Sequence, residues 1–148
     1  MAILNYTTTI AVKKTMGEIQ RILVAGGANS IQIDYANGKP AALAFFAKTP
    51  IGERAFVLPA NVDGVWQTLM QQNRQGKVPA RFVTKDQAAR VAWRILKDWV
   101  AAQMAIIEAG MVTLDQVMLP YMQVANESLY EAFKTSRFAL PPASIESS

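Results

Sequence analysis

The fold is decided by residues 84–110, which read TKDQAARVAWRILKDWVAAQMAIIEAG. Thr84 and Gln87 have the spacing of a capping box, in which two side chains satisfy free N–H groups at a helix start. Gly110 is the residue type that most often ends a helix in a left-handed conformation. Apolar side chains in between cover most of the helical circumference, as in helices buried on several sides. The pattern predicts a long central helix over about residues 85–109.

One side of this helix carries a line of cations. Arg90, Arg94 and Lys97 are spaced i, i+4 and i+7, which places them on one helical face. Trp93 and Trp99 flank that face, and an aromatic plane beside arginines can stack a nucleobase while the guanidinium groups hold phosphate. We therefore expect a site in which five cations bind an anion and two tryptophans stack a ring: Arg81, Lys85, Arg90, Arg94, Lys97, Trp93 and Trp99.

The charge distribution supports an anionic partner. The chain of 148 residues has a net charge of +4. Residues 74–97 hold seven cations against Asp86 alone and sum to +6, whereas residues 1–73 sum to +2 and the remainder, from Asp98, to −4. A basic centre beside an acidic end favours an anionic ligand or head-to-tail contact between subunits. The alternative is a solvated basic edge of a core helix, partly neutralised by Asp86 and Asp98, with the tryptophans in the core.

Upstream of the central helix the sequence predicts a small antiparallel sheet. Asn37-Gly38 offers the two positive φ angles of a type I′ turn, and alternating apolar and polar residues precede it. The threonine-rich segment near the N-terminus favours a strand because β-branched side chains are stiff. We expect about four strands, a meander plus the N-terminal strand, at residues 6–12, 31–35, 41–48 and 53–58.

Helical patterns complete an α+β fold in which helices pack on the sheet. Thr15 and Glu18 have capping-box spacing before a short amphipathic helix that stops at Gly26-Gly27. Lys13-Lys14 indicates a solvated start of this helix, or a contribution to a positive groove. Further helices are expected at three places along the chain: residues 62–72, 113–119 and 128–133.

Length and composition bound the class of protein. We expect one domain over residues 1–148, in which residues 124–148 form a loose or partner-contacting tail. Hydrophobic residues make up 51% of the chain, more than an isolated monomer needs, so we expect a homo-oligomer. The N-terminus lacks the charged and apolar regions of a signal peptide, and the central helix has only nine successive uncharged residues, 99–107. We therefore expect no membrane segment.

Catalytic chemistry finds no support in the sequence. The chain has no cysteine and no histidine, which excludes thiolate and imidazole nucleophiles, disulfides and the common zinc sites. Gly26-Gly27 fits neither phosphate-loop motif and indicates a helix stop. The acidic residues are isolated along the chain, so no acid–base pair stands out. We expect a protein that is not an enzyme and needs no cofactor or metal.

Two blocks of sequence are similar to a known family. They are MAILNYTT, residues 1–8, and VAWRILKDWV, residues 91–100, which continues through residues 103–111 to Leu119-Pro120-Tyr121. Over about residues 1–122 the chain resembles a family of small uncharacterised accessory proteins encoded by tailed bacteriophages and prophages, often among early genes. The resemblance implies a phage protein that works in the cytoplasm of the bacterial host. It assigns no catalytic residues.

Three functions fit these observations. The first is a non-catalytic counter-defence protein that sequesters a small anionic nucleotide, such as a cyclic nucleotide immune signal, in a pocket built by an oligomer. The second is a DNA- or RNA-binding factor of phage replication or recombination that uses the same basic segment. The acidic C-terminal third disfavours it, because this third repels a long polyanion more than a small one. The third is an inhibitor that binds an acidic surface of a host protein.

Overall fold

Residues 1–136, which the computed structural model describes, form five helices and five strands. The helices are α1 (Val12–Ala25), α2 (Val62–Arg74), α3 (Lys85–Glu108), α4 (Leu114–Met118) and α5 (Leu129–Thr135). The strands are β1 (Ser30–Ala36), β2 (Lys39–Thr49), β3 (Gly52–Pro59), β4 (Gln123–Val124) and β5 (Glu127–Ser128). Single 3₁₀ turns lie at Ala80–Phe82 and Leu119–Tyr121. The predicted α+β class is confirmed.

The long helix α3 begins and ends as predicted. The Thr84 hydroxyl accepts a hydrogen bond from the Gln87 N–H at 3.0 Å, and Gly110, with φ 76°, follows the helix end. The Gln87 amide group, however, does not return to the N-cap residue. Its Nε2 donates to the carbonyl oxygens of Tyr6 at 2.8 Å and of Thr8 at 3.0 Å. Gln87 therefore ties the N-terminal segment to the start of α3.

Strands β1, β2 and β3 form one antiparallel sheet in that order. Between β1 and β2, Asn37 has φ 53° and Gly38 φ 76°, the two positive angles of a type I′ turn. Phe45 and Phe56 are opposite each other on β2 and β3, and their rings stack with centroids 5.1 Å apart. Both belong to the main core, to which α1, α3 and α4 also contribute.

Helices α1 and α3 run parallel. Arg94 contacts Thr15 and Glu18, which lie 79 and 76 residues earlier in the chain. The Met104 side chain lies against Gly26 with a similar offset. Both helices therefore begin at the same end of the molecule, and α2 also packs on α3.

The strand predicted at residues 6–12 is wrong. These residues form a turn and irregular chain before α1, which begins at Val12 and buries Thr15 inside the helix instead of using it as a cap. Carbonyl groups of the segment pair with the Gln87 side chain rather than with a neighbouring strand. The described sheet accordingly has three strands instead of four, and the short pair β4–β5 forms a second sheet next to β3.

Helix α5 confirms the helix predicted at residues 128–133. The rest of the predicted tail, residues 137–148, lies outside the described residues. No helix within residues 1–136 is both long and apolar enough to cross a membrane.

Candidate ligand-binding groove

A groove of about 1000 Å³ opens where three helices begin. Its walls come from the first turns of α1 and α2, the tip of the β1–β2 hairpin and the first half of α3. The volume is at the upper end of the range of about 300–1000 Å³ that is usual for small-molecule sites. We call it the basic groove, after four cations in its wall: Lys13, Lys39, Lys85 and Arg90.

The three helix starts differ in how their N–H groups are satisfied. Asn61 caps α2 by accepting from the Gly64 N–H at 2.9 Å, and Thr84 caps α3. Helix α1 has Ala11 at its N-cap position, with no side-chain hydrogen bond and no acidic residue in its first turn. Instead Lys13 lies in that turn, at the positive end of the helix dipole, where a cation is unfavourable and an anion is favoured.

The charge of the basic groove is positive because its cations outnumber its carboxylates. Asp63 and Asp86 are the acidic residues in the wall. Lys39 Nζ lies 3.9 Å from Asp86 Oδ1, and both side chains are largely exposed, so water screens this pair strongly. The side chains of Lys13 and Lys85 make no ion pair or hydrogen bond with any residue of 1–136. Two cations therefore stay available for an anionic ligand.

The side chain of Arg90 is positioned by a hydrogen bond to Gln87. Its Nε donates to Gln87 Oε1 at 2.9 Å, and the Gln87 side chain is itself only 5% exposed and fixed by the carbonyls of Tyr6 and Thr8. The two terminal guanidinium nitrogens have no partner within residues 1–136. This arrangement presents a forked pair of donors, the geometry that suits a phosphate or carboxylate group.

Aromatic side chains complete the wall. Tyr35, at the hairpin, is 63% exposed, and Trp66, on α2, is half-buried. Trp93 is fully buried where it meets the groove, and its indole Nε1 has no hydrogen-bond partner among the described residues. An unpaired buried donor costs free energy, which a ligand acceptor can recover.

Only some of the site residues predicted from the sequence lie together in the structure. It brings Lys85, Arg90 and Trp93 together in the basic groove. Arg94 instead lies in the seam between α1 and α3, 16% exposed, where it forms an ion pair with Glu18 and hydrogen-bonds to Thr15 at 3.4 Å. Arg90 and Arg94 share one face of α3 but have different partners, so the line of cations does not form a single site.

Lys97 also lies near this seam rather than in the groove. Its Nζ is 3.7 Å from Asp98 Oδ1, and Asp98 accepts a hydrogen bond from the Asn5 amide at 2.8 Å. The hydrogen bond from Arg94 lowers the pKa of Glu18, and the nearby charges of Lys97 and Lys14 act in the same direction. Arg94 therefore joins α3 to α1, whereas Lys97 pairs with a carboxylate of its own helix.

Arg81 and Trp99 lie outside the basic groove. The exposed Arg81 places its guanidinium 4.6 Å from the Phe82 ring centroid. Trp99 meets Tyr121 edge to face, with centroids 5.5 Å apart, in a separate cavity of about 310 Å³. That cavity is mostly apolar, so it has no charge that would select a phosphate.

The sequence-based prediction did not include several residues of the basic groove, because they come from separate elements of the chain. Lys39, Tyr35 and Trp66 were given no role, although the predicted Asn37-Gly38 turn put Tyr35 and Lys39 at one hairpin tip. For Lys13 the sequence indicated a solvated helix start, with a place in a positive groove as the alternative, and in the structure Lys13 lines the basic groove.

No protein-family model, curated protein or solved structure matches the chain. Within residues 1–136 there is also no cluster of acidic residues that could hold a metal ion.

Proposed function

We propose that this protein binds a small anionic ligand with a planar ring, of the nucleotide type, in the basic groove. The observation that carries the proposal is the meeting of unpaired cations and aromatic side chains in one cavity of about 1000 Å³. Phosphate groups suit Arg90 and the lysines, and a nucleobase suits the faces of Tyr35 and Trp66.

Charge and shape favour a small ligand over a nucleic acid. The groove is bounded by the hairpin tip on one side and the helix starts on the other. Asp63 and Asp86 in its wall repel a continuous phosphate backbone, whereas a short ligand can place its phosphates away from them. Arg81, which belongs to the same basic segment of sequence, lies outside the groove.

We further propose that the chain is a phage protein and acts as a counter-defence protein in the cytoplasm of the bacterial host. Cyclic nucleotide immune signals belong to the chemical class that the groove suits, and a non-catalytic protein would remove them by sequestration. The basic groove gives no specific support to the alternative that the protein inhibits a host protein.

Self-association forms part of the proposal. Ile95, Ala102 and Ile106 lie along α3 at i, i+7 and i+11, are half-buried or exposed, and belong to neither core cluster. Such an apolar line supports pairing of two copies. Sedimentation equilibrium of the chain and of Ala102→Asp tests it, and a monomer at every concentration would remove it.

Calorimetric titration against nucleoside phosphates and cyclic mono- and dinucleotides tests ligand binding. We expect saturable binding by at least one of them. Arg90→Ala should weaken it about 10- to 150-fold, because hydrogen bonds to charged groups contribute about 1.5–3 kcal/mol. Arg81→Ala removes an equal charge outside the groove and should leave the affinity within about twofold.

The results also separate the alternatives. Absence of binding by the whole panel overturns the proposal. A nucleic-acid function replaces the proposal if the protein binds single-stranded DNA with an affinity that falls steeply with salt. In that case Arg81→Ala and Arg90→Ala should reduce the DNA affinity by equal amounts.

A further inference from the structure

We infer that the first turn of α1 is the phosphate subsite of the basic groove, so that its ligand carries a phosphate or another tetrahedral oxyanion. This inference rests on the proposed ligand-binding function and specifies where the charged part of the ligand lies.

Backbone donors at this turn are free. The N–H groups of Val12, Lys13 and Lys14 have no hydrogen-bond partner within residues 1–136, and Ala11 offers no side-chain cap. Ala11, Val12 and Lys13 line the groove. Free N–H groups and the helix dipole together form an anion site, and they do so without any cost of rearrangement.

Side chains from α3 face the same turn. The parallel packing pairs residues of α1 with residues of α3 that lie 76 to 79 positions later. By this offset Arg90 is level with the first turn of α1, and both line the groove. One oxyanion can thus accept hydrogen bonds from backbone N–H groups and from the free guanidinium nitrogens of Arg90.

A second observation points to a ligand independently of the helix start. Trp93, one helical turn beyond Arg90, is 0% exposed, lines the groove, and has an indole N–H without a partner among the described residues. Buried donors of this kind are rare unless a ligand or water satisfies them. The same corner therefore combines an unsatisfied buried donor, an uncapped helix and Lys13 at the wrong end of the helix dipole.

Ala11 provides a variant whose two effects have opposite signs. It is exposed and has φ −62° and ψ 146°, the extended conformation that N-cap residues adopt. In Ala11→Asp the carboxylate should cap the free N–H groups, so the melting temperature rises. The same carboxylate occupies the subsite and repels an oxyanion, so phosphate affinity falls about tenfold or more. Ala11→Asn, the neutral control, should stabilise the helix with a smaller loss of affinity.

The experiment is an amide NMR titration of the full chain with inorganic phosphate and, separately, with the nucleotide bound most tightly in calorimetry. We expect saturable shifts centred on the amides of residues 12–14, which disappear in Ala11→Asp but persist in Ala11→Asn. Phosphate shifts that are absent, or that centre elsewhere, overturn the subsite. Unchanged phosphate affinity in a stabilised Ala11→Asp variant does so as well.

Failure of the subsite and failure of the proposed function give different results. If a nucleotide shifts the amide signals of Tyr35 and Trp66 but not those of residues 12–14, the subsite proposal is wrong and the proposal of ligand binding in the groove stands. Phosphate that binds at residues 12–14 while no nucleotide binds preserves the subsite and removes the nucleotide function.

Discussion

Removal of the Gln87 side chain should destabilise the protein by about 1.5–3 kcal/mol. Gln87→Ala deletes three hydrogen bonds, two to the carbonyls of Tyr6 and Thr8 and one from Arg90 Nε. At about 0.5–1.5 kcal/mol each, their net sum is about 1.5–4.5 kcal/mol. Water can reach part of the N-terminal segment and replace some of the lost donors, which places the expected loss in the lower half of that range.

Urea denaturation followed by circular dichroism measures this loss as a lower midpoint with an unchanged slope. Gln71→Ala on α2 is the matched control, since Gln71 is exposed and its side chain has no hydrogen bond within residues 1–136. The control should change stability by less than about 0.5 kcal/mol. A Gln87→Ala variant as stable as the control would refute the claim that this side chain fastens the N-terminal segment.

A second substitution separates the donors of Gln87 from its acceptor. Gln87→Glu keeps an oxygen for Arg90 but turns a carboxylate toward the two backbone carbonyls. At neutral pH it should therefore lose at least as much stability as Gln87→Ala. A Gln87→Glu variant as stable as the unmodified chain would contradict the role of the two donated bonds. Ligand affinity should fall in both variants through displacement of the N-terminal segment, and more in Gln87→Ala, where Arg90 is also released.

Three further outcomes are expected. Because Arg94 lowers the pKa of Glu18, the stability from this ion pair is present above the ordinary value of 4.5 and lost as pH falls through the lower folded value. The urea midpoint of Glu18→Gln should thus lie below that of the unmodified chain at neutral pH and converge with it as the pH falls below the lowered pKa of Glu18. Tyr35→Ala should weaken nucleotide binding about 5- to 100-fold in calorimetry, whereas Tyr35→Phe, which keeps the ring, should not. Thermal unfolding should show Gly38→Ala, at φ 76°, destabilised by about 1 kcal/mol and Gly17→Ala, inside α1 with space for a methyl group, stabilised by about 0.5–1 kcal/mol.

Elements defined by local chemistry were predictable from the sequence. Helix α3 has its cap at Thr84 and its stop at Gly110, and the β1–β2 hairpin has Asn37-Gly38 at its turn, so neighbouring residues suffice for both. The strand predicted in the N-terminal segment was wrong because the conformation of this segment depends on a residue far away in the sequence. Its threonines favour a strand, but Gln87, about 80 residues later, takes the carbonyls that a strand partner would need.

The candidate site was predictable only in part. Helical spacing correctly put Arg90 and Arg94 on one side of α3, but it contains no information about what covers that side. Glu18 reaches Arg94 only because α1 packs parallel to α3. Lys13, Lys39 and Tyr35 join Arg90 through tertiary structure alone, and no sequence pattern links these elements.

The parallel packing of α1 and α3 explains why the cations Arg90 and Arg94 of α3 have different surroundings. It also explains why the end of α3 that carries Arg90 suits a ligand. Along the seam, Glu18 neutralises Arg94, so the helices can lie together without repulsion. At the shared start of the helices no carboxylate of α1 fills that role, and the positive dipole ends add to the charges of Lys13, Lys85 and Arg90. Conflicts of this kind between local rules and the fold occur mainly at functional sites. A bound oxyanion resolves the conflict directly, because it supplies at the groove the negative charge that Glu18 supplies in the seam.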